Sequence, residues 1–467
     1  MNQRIEYDTL GEVQVPADKY WGAQTQRALD NFPIHGNKIP EEIINGLAIT
    51  KKAAAFANAR LGILSIEKRD LIATCCDEIL AGKLSAHFPL SVWQTGAGTQ
   101  TNMNVNEVIA HRAEELRGGT SSGNKTFLSP NDDVNKSQST NDVFPTAIRI
   151  ASTQYILTQT IPAIEHFIET LHQKEEEFRD IVTIGRTHLM DATPITLGNE
   201  FSAFKEQVSN GLRVIKNSLS HLMELPIGGT AVGTGLNAPE GYDVLAVRHI
   251  NQFTGFEFRP CPNKFEAISS HDAMVETSAA LKQLAVSLIK IADDIRLLAS
   301  GPRCGLGEIL LTANEPGSSI MPGKINPLQC EALTMVGCQI IGNDLTITNG
   351  AAQGHLQLNV FVPLLGVNLI NSLHLLTDVL NSFNEHCLKG IRANTERISH
   401  YVEHSFMLAT ALNTHIGYEK AARIVKYAHA HDVSLKEAAT TLQLVSAEDF
   451  DRWVNPKEMV APYKIRD

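Results

Sequence analysis

The stretch Asn314-Glu315-Pro316-Gly317-Ser318-Ser319-Ile320-Met321-Pro322-Gly323-Lys324-Ile325-Asn326-Pro327 lies between two long helical patterns. It cannot itself be a helix, because two glycines and three prolines interrupt it. It carries two adjacent hydroxyls, one ammonium group and the side-chain amides of Asn314 and Asn326. A loop rich in glycine can direct successive backbone N–H groups at one point and bind an anion there. We interpret the stretch as a mobile loop that closes over a small anionic substrate. The alternative is a Gly/Pro connector with a surface lysine.

The remainder of the chain is predicted to be mainly all-α, with a core of long helices. Apolar residues spaced three and four apart run from about Asp272 to Ser300 and again from Leu365 to Phe383, which is typical of helix-bundle seams. A similar stripe follows residue 197. Helices this apolar need several partners, so we expect a bundle that continues into an oligomer. We predict a mixed N-terminal domain at 1–138, a central long-helix bundle at 139–394 and a small helical C-terminal domain at 395–467.

Composition narrows the functional class. The 467 residues carry a net charge of −11 and no basic stripe, which argues against nucleic-acid binding. The seven cysteines are scattered without a C-x-x-C pair, so we expect no metal centre and a reducing compartment. The N-terminus lacks a targeting segment and no apolar run reaches membrane-spanning length, which predicts a cytoplasmic protein without a membrane partner.

Two further polar segments each precede a predicted helix. Gly98-Thr99-Gln100 and Ser139-Thr140-Asn141 place backbone and side-chain donors at a helix N-terminus, where anions bind readily. The structural alternative is helix capping. Capping accounts for one of the four consecutive polar side chains that begin at Ser139, but not for all of them.

His188 lies in a polar turn region between long helices. A lone histidine is commonly structural, and a catalytic role requires a second acid or base nearby. Glu331 and Ser318 are the candidates, although Glu331 is also favourable simply as a carboxylate in the first turn of a helix. A Ser-His-Asp hydrolase that uses Ser318 is a competing scheme. Against it, Ser318 lacks the G-x-S-x-G context and no strand precedes it.

The loop from Gly317 to Pro327 resembles the signature loop of the fumarase/aspartase superfamily, and the similarity extends from Pro16 to Tyr418. Segments 93–96, 98–100, 185–188, 263–267, 314–316 and 329–331 are similar to those of class II fumarases. The resemblance implies reversible hydration of fumarate to (S)-malate, a step of the tricarboxylic acid cycle, through an aci-carboxylate intermediate and without metal or organic cofactor. It also implies a homotetramer whose active sites take segments from three subunits.

The same resemblance implies a role for each site residue. Ser318 would be the base, and His188, oriented by Glu331, would act as acid toward the leaving hydroxyl. The implied substrate-binding residues are Gly98, Thr99, Gln100, Ser139, Thr140, Asn141, Thr187, Ser319, Lys324, Ile325 and Asn326.

Three positions depart from the class II fumarase pattern. Ser129-Pro130-Asn131-Asp132 stands where His-Pro-Asn-Asp is usual, so a possible second anion site at these residues lacks its histidine. Thr140 and Gln357 have the residue types common in aspartases. Aspartate ammonia-lyase activity is therefore the alternative enzymatic interpretation, and a non-catalytic helical scaffold is the alternative outside enzymes.

Overall fold

The computed structural model describes residues 2–119 and 126–462, and in this part of the chain it is mainly helical, which confirms the predicted fold class. The α-helices are α1 Ala23–Asn31, α2 Glu41–Arg60, α3 Ile66–Leu80, α4 Thr99–Leu116, α5 Thr140–Tyr155, α6 Ile161–Glu177, α7 Leu197–Leu222, α8 Tyr242–Thr254, α9 Lys264–Ser269, α10 Asp272–Leu298, α11 Leu328–Ala351, α12 Val362–His386, α13 Thr395–His404, α14 Asn413–Ile416, α15 Tyr418–His431, α16 Leu435–Thr441 and α17 Ala447–Trp453. The predicted seams fall in α10 and α12, and the stripe after residue 197 forms α7.

The strands form small two-stranded sheets. They are β1 Gln3–Asp8 with β2 Gly11–Pro16, β3 Val182–Thr187 with β4 Met190–Thr196, β5 Glu224–Leu225 with β6 Arg259–Pro260, and β7 Ile309–Leu310 with β8 Arg392–Ala393. Among these pairs, β5–β6 is parallel and the others are antiparallel.

The chain divides into two compact units. The first unit contains Met1–Pro162, Gly211–Val286 and Val336–Asp378, and the second contains Ala163–Asn210, Ser287–Met335 and Val379–Asp467. Each boundary falls inside one of the long helices α6, α7, α10, α11 or α12. The division into domains 1–138, 139–394 and 395–467 is a different partition and stays a prediction.

The core of the first unit contains a close crossing of α2 and α5. A Cβ atom at Gly46 would lie 2.3 Å from the backbone oxygen of Ala147, so only glycine permits the two backbones to approach this closely. Ile43 and Leu47 of α2 and Phe144 and Ile148 of α5 are fully buried. The crossing fixes α5 against α2 and therefore positions the N-terminus of α5.

The second unit contains the β3–β4 hairpin and a separate helical core at its C-terminal end. That core includes Leu412, Ile424, Ala438 and Phe450. The hairpin differs from the prediction, which placed His188 in a turn region between long helices and expected no strands there. The β-branched residues of Val182–Thr187 favour a strand despite the glycine among them, and a register shift between Ile184 and Arg186 accommodates that glycine.

One helical stretch of the described residues, Val362–Gly390, is long and apolar enough to cross a membrane by length and composition. The expectation that no apolar run reaches that length was therefore wrong. Because 67% of its most apolar window is buried inside the protein, it has the environment of a core helix.

Candidate active site

The loop quoted first is closed at its base by a close backbone approach and a side-chain amide. A Cβ atom at Gly317 would lie 2.1 Å from the backbone oxygen of Lys324, so the two ends of the loop touch where Gly317 stands. Asn326 Nδ2 donates to the Gly317 oxygen over 2.5 Å. The amide of Asn326, implied as a substrate donor, therefore uses at least one N–H to hold the loop closed at its base.

The hydroxyl oxygen of Ser318 accepts hydrogen bonds from the backbone of its own loop. The donors are the backbone N–H of Ile320 over 3.3 Å and of Met321 over 3.0 Å. Backbone donors aimed at a hydroxyl oxygen stabilise negative charge on it. Ser319 and Lys324 are exposed on the same loop, as is Ile325.

His188 occupies the tip of the β3–β4 hairpin. Both His188 and Leu189 have left-handed backbones, with φ of 58° and 62°, so the strands reverse direction in two residues. The imidazole is exposed, and so is Thr187 beside it. The tip thus projects an imidazole into solvent from a short, well-defined turn.

The hairpin that carries His188 is fixed to the second unit by a buried carboxylate. Glu308 is fully buried, and its Oε2 accepts a hydrogen bond from Thr183 Oγ1 over 3.0 Å. Its other oxygen is paired with the guanidinium of Arg186. These contacts hold β3 at two points, so the imidazole is mounted on a rigid support.

Glu331 lies in the first turn of α11, as the sequence predicted, and its side chain is exposed. Within residues 2–119 and 126–462, no hydrogen bond or ion pair joins the side chains of Ser318, His188 and Glu331 in a single chain. Their meeting around one ligand stays a prediction.

In the first unit, Ser139, Thr140 and Asn141 form the N-terminus of α5. Ser139 Oγ accepts from Asn141 N, and the Asp142 carboxylate accepts from Ser139 N, which completes a capping box. Asp142 Oδ2 also accepts from Gly228 N and, over 2.9 Å, from Thr230 N. Capping therefore employs Ser139 and Asp142 and leaves Thr140 for another role.

Burial raises the pKa of Asp142 to about 6, against the backbone N–H groups that lower it. The carboxylate nonetheless accepts from three of those donors, and two of them, at Gly228 and Thr230, bind the glycine-rich segment 228–235 to the start of α5.

Gly98, Thr99 and Gln100 lie at the N-terminus of α4 in the same unit. Thr99 is exposed at the first position of the helix. Gln100 Oε1 accepts from Thr95 N over 3.1 Å, so its carbonyl oxygen stabilises the preceding loop and its amide N–H groups are the donors it can offer a ligand.

Asn102 connects this helix to the previous cluster. Its Nδ2 donates to Thr140 Oγ1 over 2.9 Å, which brings the N-termini of α4 and α5 together.

Sequence reasoning missed a buried lysine behind these two helix ends. Lys51 of α2 is fully buried, and its ammonium donates to Asn135 and Gln138. Burial lowers the pKa of Lys51 to about 7, against Asp142 and Cys76, which raise it. The signal was available, because Lys51 follows Leu47 by four residues and therefore lies on the apolar stripe of its helix.

Ser129, Pro130, Asn131 and Asp132 begin a single π-helical turn in the first unit. The Ser129 hydroxyl caps this turn by accepting from Asp132 N over 3.0 Å and also contacts Asp132 Oδ2 over 3.1 Å. The carboxylate beside the serine makes this end of the turn acidic. Ser129 also lines a cavity of about 630 Å³ together with Thr99, Gln100 and Asn131. The possible second anion site stays a prediction.

No group of three or more His, Cys, Asp or Glu side chains in the described part of the chain could hold a metal ion. All seven cysteines are free thiols.

Comparison with known proteins identifies the family. The sequence model of the family described as "Lyase" matches residues 11–342, and that of "Fumarase C C-terminus" matches residues 408–461. Proteins named "Fumarate hydratase class II" are similar over almost the whole length. That of Haemophilus ducreyi is 60% identical over 465 residues, covering 99% of this chain and 100% of the relative. That of Helicobacter pylori is 53% identical over 462 residues with coverage of 99% and 100%. These names do not favour the aspartase alternative.

Solved structures agree. A class II fumarase from Schistosoma mansoni superposes with a TM-score of 0.97 at 42% identity, covering 99% of this chain and 100% of that one. A "fumarate lyase:delta crystallin from Brucella melitensis bound to cobalt" gives 0.94 at 43% identity, with coverage of 99% and 100%. The identity and coverage together show that this chain belongs to the class II fumarate hydratase family.

Proposed function

We propose that this chain catalyses the reversible hydration of fumarate to (S)-malate, the step of the tricarboxylic acid cycle that class II fumarate hydratases are named for. The observation that carries the proposal is the identity of 53–60% to proteins of that name over 99% of the chain. The geometry of the loop around Ser318 and of the tip at His188 supports it.

When malate is the substrate, a base must remove a weakly acidic proton from the carbon next to a carboxylate. We assign that step to Ser318. A neutral serine is a poor base, but two backbone N–H groups already point at its oxygen, and Lys324 lies on the same loop. Both features favour the alkoxide, and the proton passes from carbon to Ser318 Oγ.

Removal of the proton leaves a dianionic aci-carboxylate. Preorganised donors aimed at such developing charge are worth about 3–4 kcal/mol each. Thr140, Asn141 and Asn326 are the side chains that we assign to the two carboxylates, with the other substrate-binding residues named from the sequence.

His188 then protonates the leaving hydroxyl, which departs as water, and Glu331 orients its imidazole. In the hydration direction the same groups act in reverse order. The scheme uses proton transfer and electrostatic stabilisation alone, so no cofactor enters it.

We also propose that the active enzyme is a cytoplasmic homotetramer in which Ser318 and His188 come to one site from different subunits. Exposed apolar side chains on the long helices support assembly: Val286 on α10 is 54% exposed, and Met335 and Leu345 on α11 are 67% and 61% exposed. Burial of these side chains against another subunit would remove their apolar surface from water. Light scattering measures the predicted mass of four chains directly.

The decisive experiment follows the ultraviolet absorbance of fumarate with and without ammonia. Loss of absorbance without ammonia is the result expected of a hydratase. Loss only with ammonia would instead make the protein an aspartase. No loss under either condition would favour a scaffold, and covalent labelling of Ser318 by a serine-directed reagent with burst kinetics on an ester would favour the hydrolase.

A further inference from the structure

A chain of buried and partly buried hydrogen bonds runs from α2 to the N-terminus of α5. Lys51 Nζ donates to Asn135 Oδ1 over 2.8 Å and to Gln138 Oε1 over 3.0 Å. Asn102 Nδ2 donates to the same Asn135 oxygen over 3.2 Å and to Thr140 Oγ1 over 2.9 Å. Lys51, Asn102 and Thr140 are 0%, 1% and 8% exposed. This hydrogen-bond chain thus links a buried ammonium to a hydroxyl that we have assigned to substrate binding.

Lys51 is an unfavourable residue to bury in this place. Its two hydrogen-bond acceptors are neutral amides, and the acid that influences it, Asp142, is occupied by backbone donors. Replacing a buried charge by an apolar side chain of similar volume is often neutral or stabilising. Stability alone therefore gives little reason for a lysine at this position.

What a protonated lysine adds is a fixed direction for the hydrogen bonds. At a pH below its pKa of about 7 the Lys51 ammonium donates and cannot accept, so the side-chain oxygen of Asn135 must face it. That oxygen can then only receive a donor from Asn102, which orients the Asn102 amide with its nitrogen toward both Asn135 and Thr140. The Thr140 oxygen consequently accepts from Asn102.

A threonine oxygen that accepts from a neighbour still has one hydrogen to donate. No acceptor in residues 2–119 or 126–462 takes the Thr140 hydrogen. We propose that Lys51 is a positioning residue that sets the direction of the hydrogen-bond chain, so that Thr140 presents its hydroxyl hydrogen to a carboxylate oxygen of the substrate. This role rests on the proposed function, because it takes the dicarboxylate as the ligand of Thr140.

The direct test is a double-mutant cycle between Lys51→Met and Thr140→Val, read as kcat/KM for fumarate. A hydrogen bond to a charged group is worth enough that we expect each single variant to lose about tenfold or more. If Lys51 acts through Thr140, the double variant loses little beyond the worse single variant. The proposal would be overturned if the loss in the double variant equalled the product of the two single-variant losses. It would also be overturned by a Lys51→Met variant with wild-type kcat/KM.

Lys52→Met is the matched control. Lys52 is the next residue of α2, but its ammonium pairs with Asp77 over 2.6 Å and does not touch the hydrogen-bond chain. We expect its kcat/KM to stay within about twofold of wild type, by the usual size of surface effects. A loss equal to that of Lys51→Met would show that any lysine on α2 has this effect and would overturn the proposal.

Asn102→Asp keeps the shape of the side chain but replaces its donor by an acceptor. The Thr140 hydrogen should then turn inward to the new carboxylate, and kcat/KM should fall at least as far as in Thr140→Val. Asn58→Asp is its control, because Asn58 is equally buried and contacts Lys136 and Ser137 outside the hydrogen-bond chain. If Lys51→Met does not fold, this pair decides: equal activities of the two variants would overturn the proposal.

Binding of succinate, a saturated dicarboxylate that cannot react, separates this proposal from the proposed function. Calorimetry should show weaker succinate binding to Lys51→Met than to wild type. A wild-type protein that neither hydrates fumarate nor binds succinate would refute the function. A wild type that does both, with succinate binding unchanged in Lys51→Met, would refute only the role of Lys51.

Discussion

Ser318 and His188 are presented by different kinds of backbone, and the difference guides the choice of substitutions. Ser318 Oγ accepts from two backbone N–H groups of its glycine-bearing loop, whereas His188 has a left-handed conformation in a two-residue turn. Asparagine tolerates that conformation better than most residues, so His188→Asn removes the imidazole and preserves the turn.

We expect Ser318→Ala and His188→Asn each to lower kcat by about 10²–10⁴-fold, the usual contribution of a general acid or base. Progress curves of fumarate absorbance measure the effect, and light scattering checks that assembly is intact. Ser319→Ala is the matched control, because its hydroxyl is assigned to binding and its loss should act mainly on KM. A near-normal kcat in either of the first two variants would remove that residue from the mechanism.

At this scale the sequence made the loop residues and His188 candidates because their types are unusual where they stand, and their roles stay predictions. It did not predict Lys51, Asn102 and Asn135 as a connected set. Their connection depends on which side chains of α2, α4 and the segment before α5 face each other, and no single helical period contains that information.

At the scale of the elements, the crossing of α2 and α5 depends on Gly46. Gly46→Ala would place a methyl group 2.3 Å from a backbone oxygen, so the two helices must move apart. We expect a loss of about 1–3 kcal/mol in the free energy of unfolding, as for other overpacked sites. Urea unfolding measures it.

Gly366→Ala on α12 is the appropriate comparison for that variant. Its Cβ would lie 2.6 Å from Ile148 Cδ1, the end of a side chain that can rotate away. We expect a smaller loss there. Equal losses would mean that backbone contact is not what makes Gly46 necessary.

The contact between α2 and α12 should respond to pH. Glu42 Oε1 lies 2.7 Å from His374 Nε2, and this hydrogen bond raises the pKa of His374. A raised histidine pKa gives stability that is complete below about pH 6.5 and is lost as the pH rises through the folded value. The pair is partly exposed, so we expect about 0.5 kcal/mol.

The measurement compares the thermal unfolding midpoint at a pH below about 6.5 with the midpoint at a pH above the folded pKa of His374. Wild type should lose about 1 °C more than Glu42→Gln between the two conditions. Glu41→Gln is the control, because Glu41 accepts from Ser85 and faces no histidine among the described residues. An identical pH response in wild type and Glu42→Gln would contradict the assignment.

The long helices were predictable from sequence, and the β3–β4 hairpin was not. In α10 and α12 the apolar residues repeat at three and four positions over the whole helix, which no other structure explains. In the hairpin, Gly185 and Pro194 resemble turn residues, yet both lie within strands. Each strand is so short that its few β-branched residues predict a strand less strongly than Gly185 and Pro194 predict a turn.

At the scale of the whole molecule, sharing of active sites between subunits makes a prediction that a self-contained site does not. His188→Asn and Ser318→Ala chains, each inactive, should recover activity when they are co-assembled. If the two residues of a site come from different subunits and mixing is random, about a quarter of the sites regain both groups.

Co-expression with two different affinity tags isolates the mixed oligomers for assay. Assemblies of one variant alone, purified in the same way, are the control. Mixed oligomers with no more activity than either parent would place Ser318 and His188 of each site in the same chain.

The tip of the β3–β4 hairpin, which presents the His188 imidazole, has a strained backbone. Two successive residues with side chains hold a left-handed backbone at His188 and Leu189, at roughly 1–2 kcal/mol each. Leu189→Gly would remove part of that strain, but it would also make the turn more flexible and so reduce the positional order of the imidazole. A search for thermostable variants should therefore select substitutions at Leu189, and these variants should be more stable but slower in turnover.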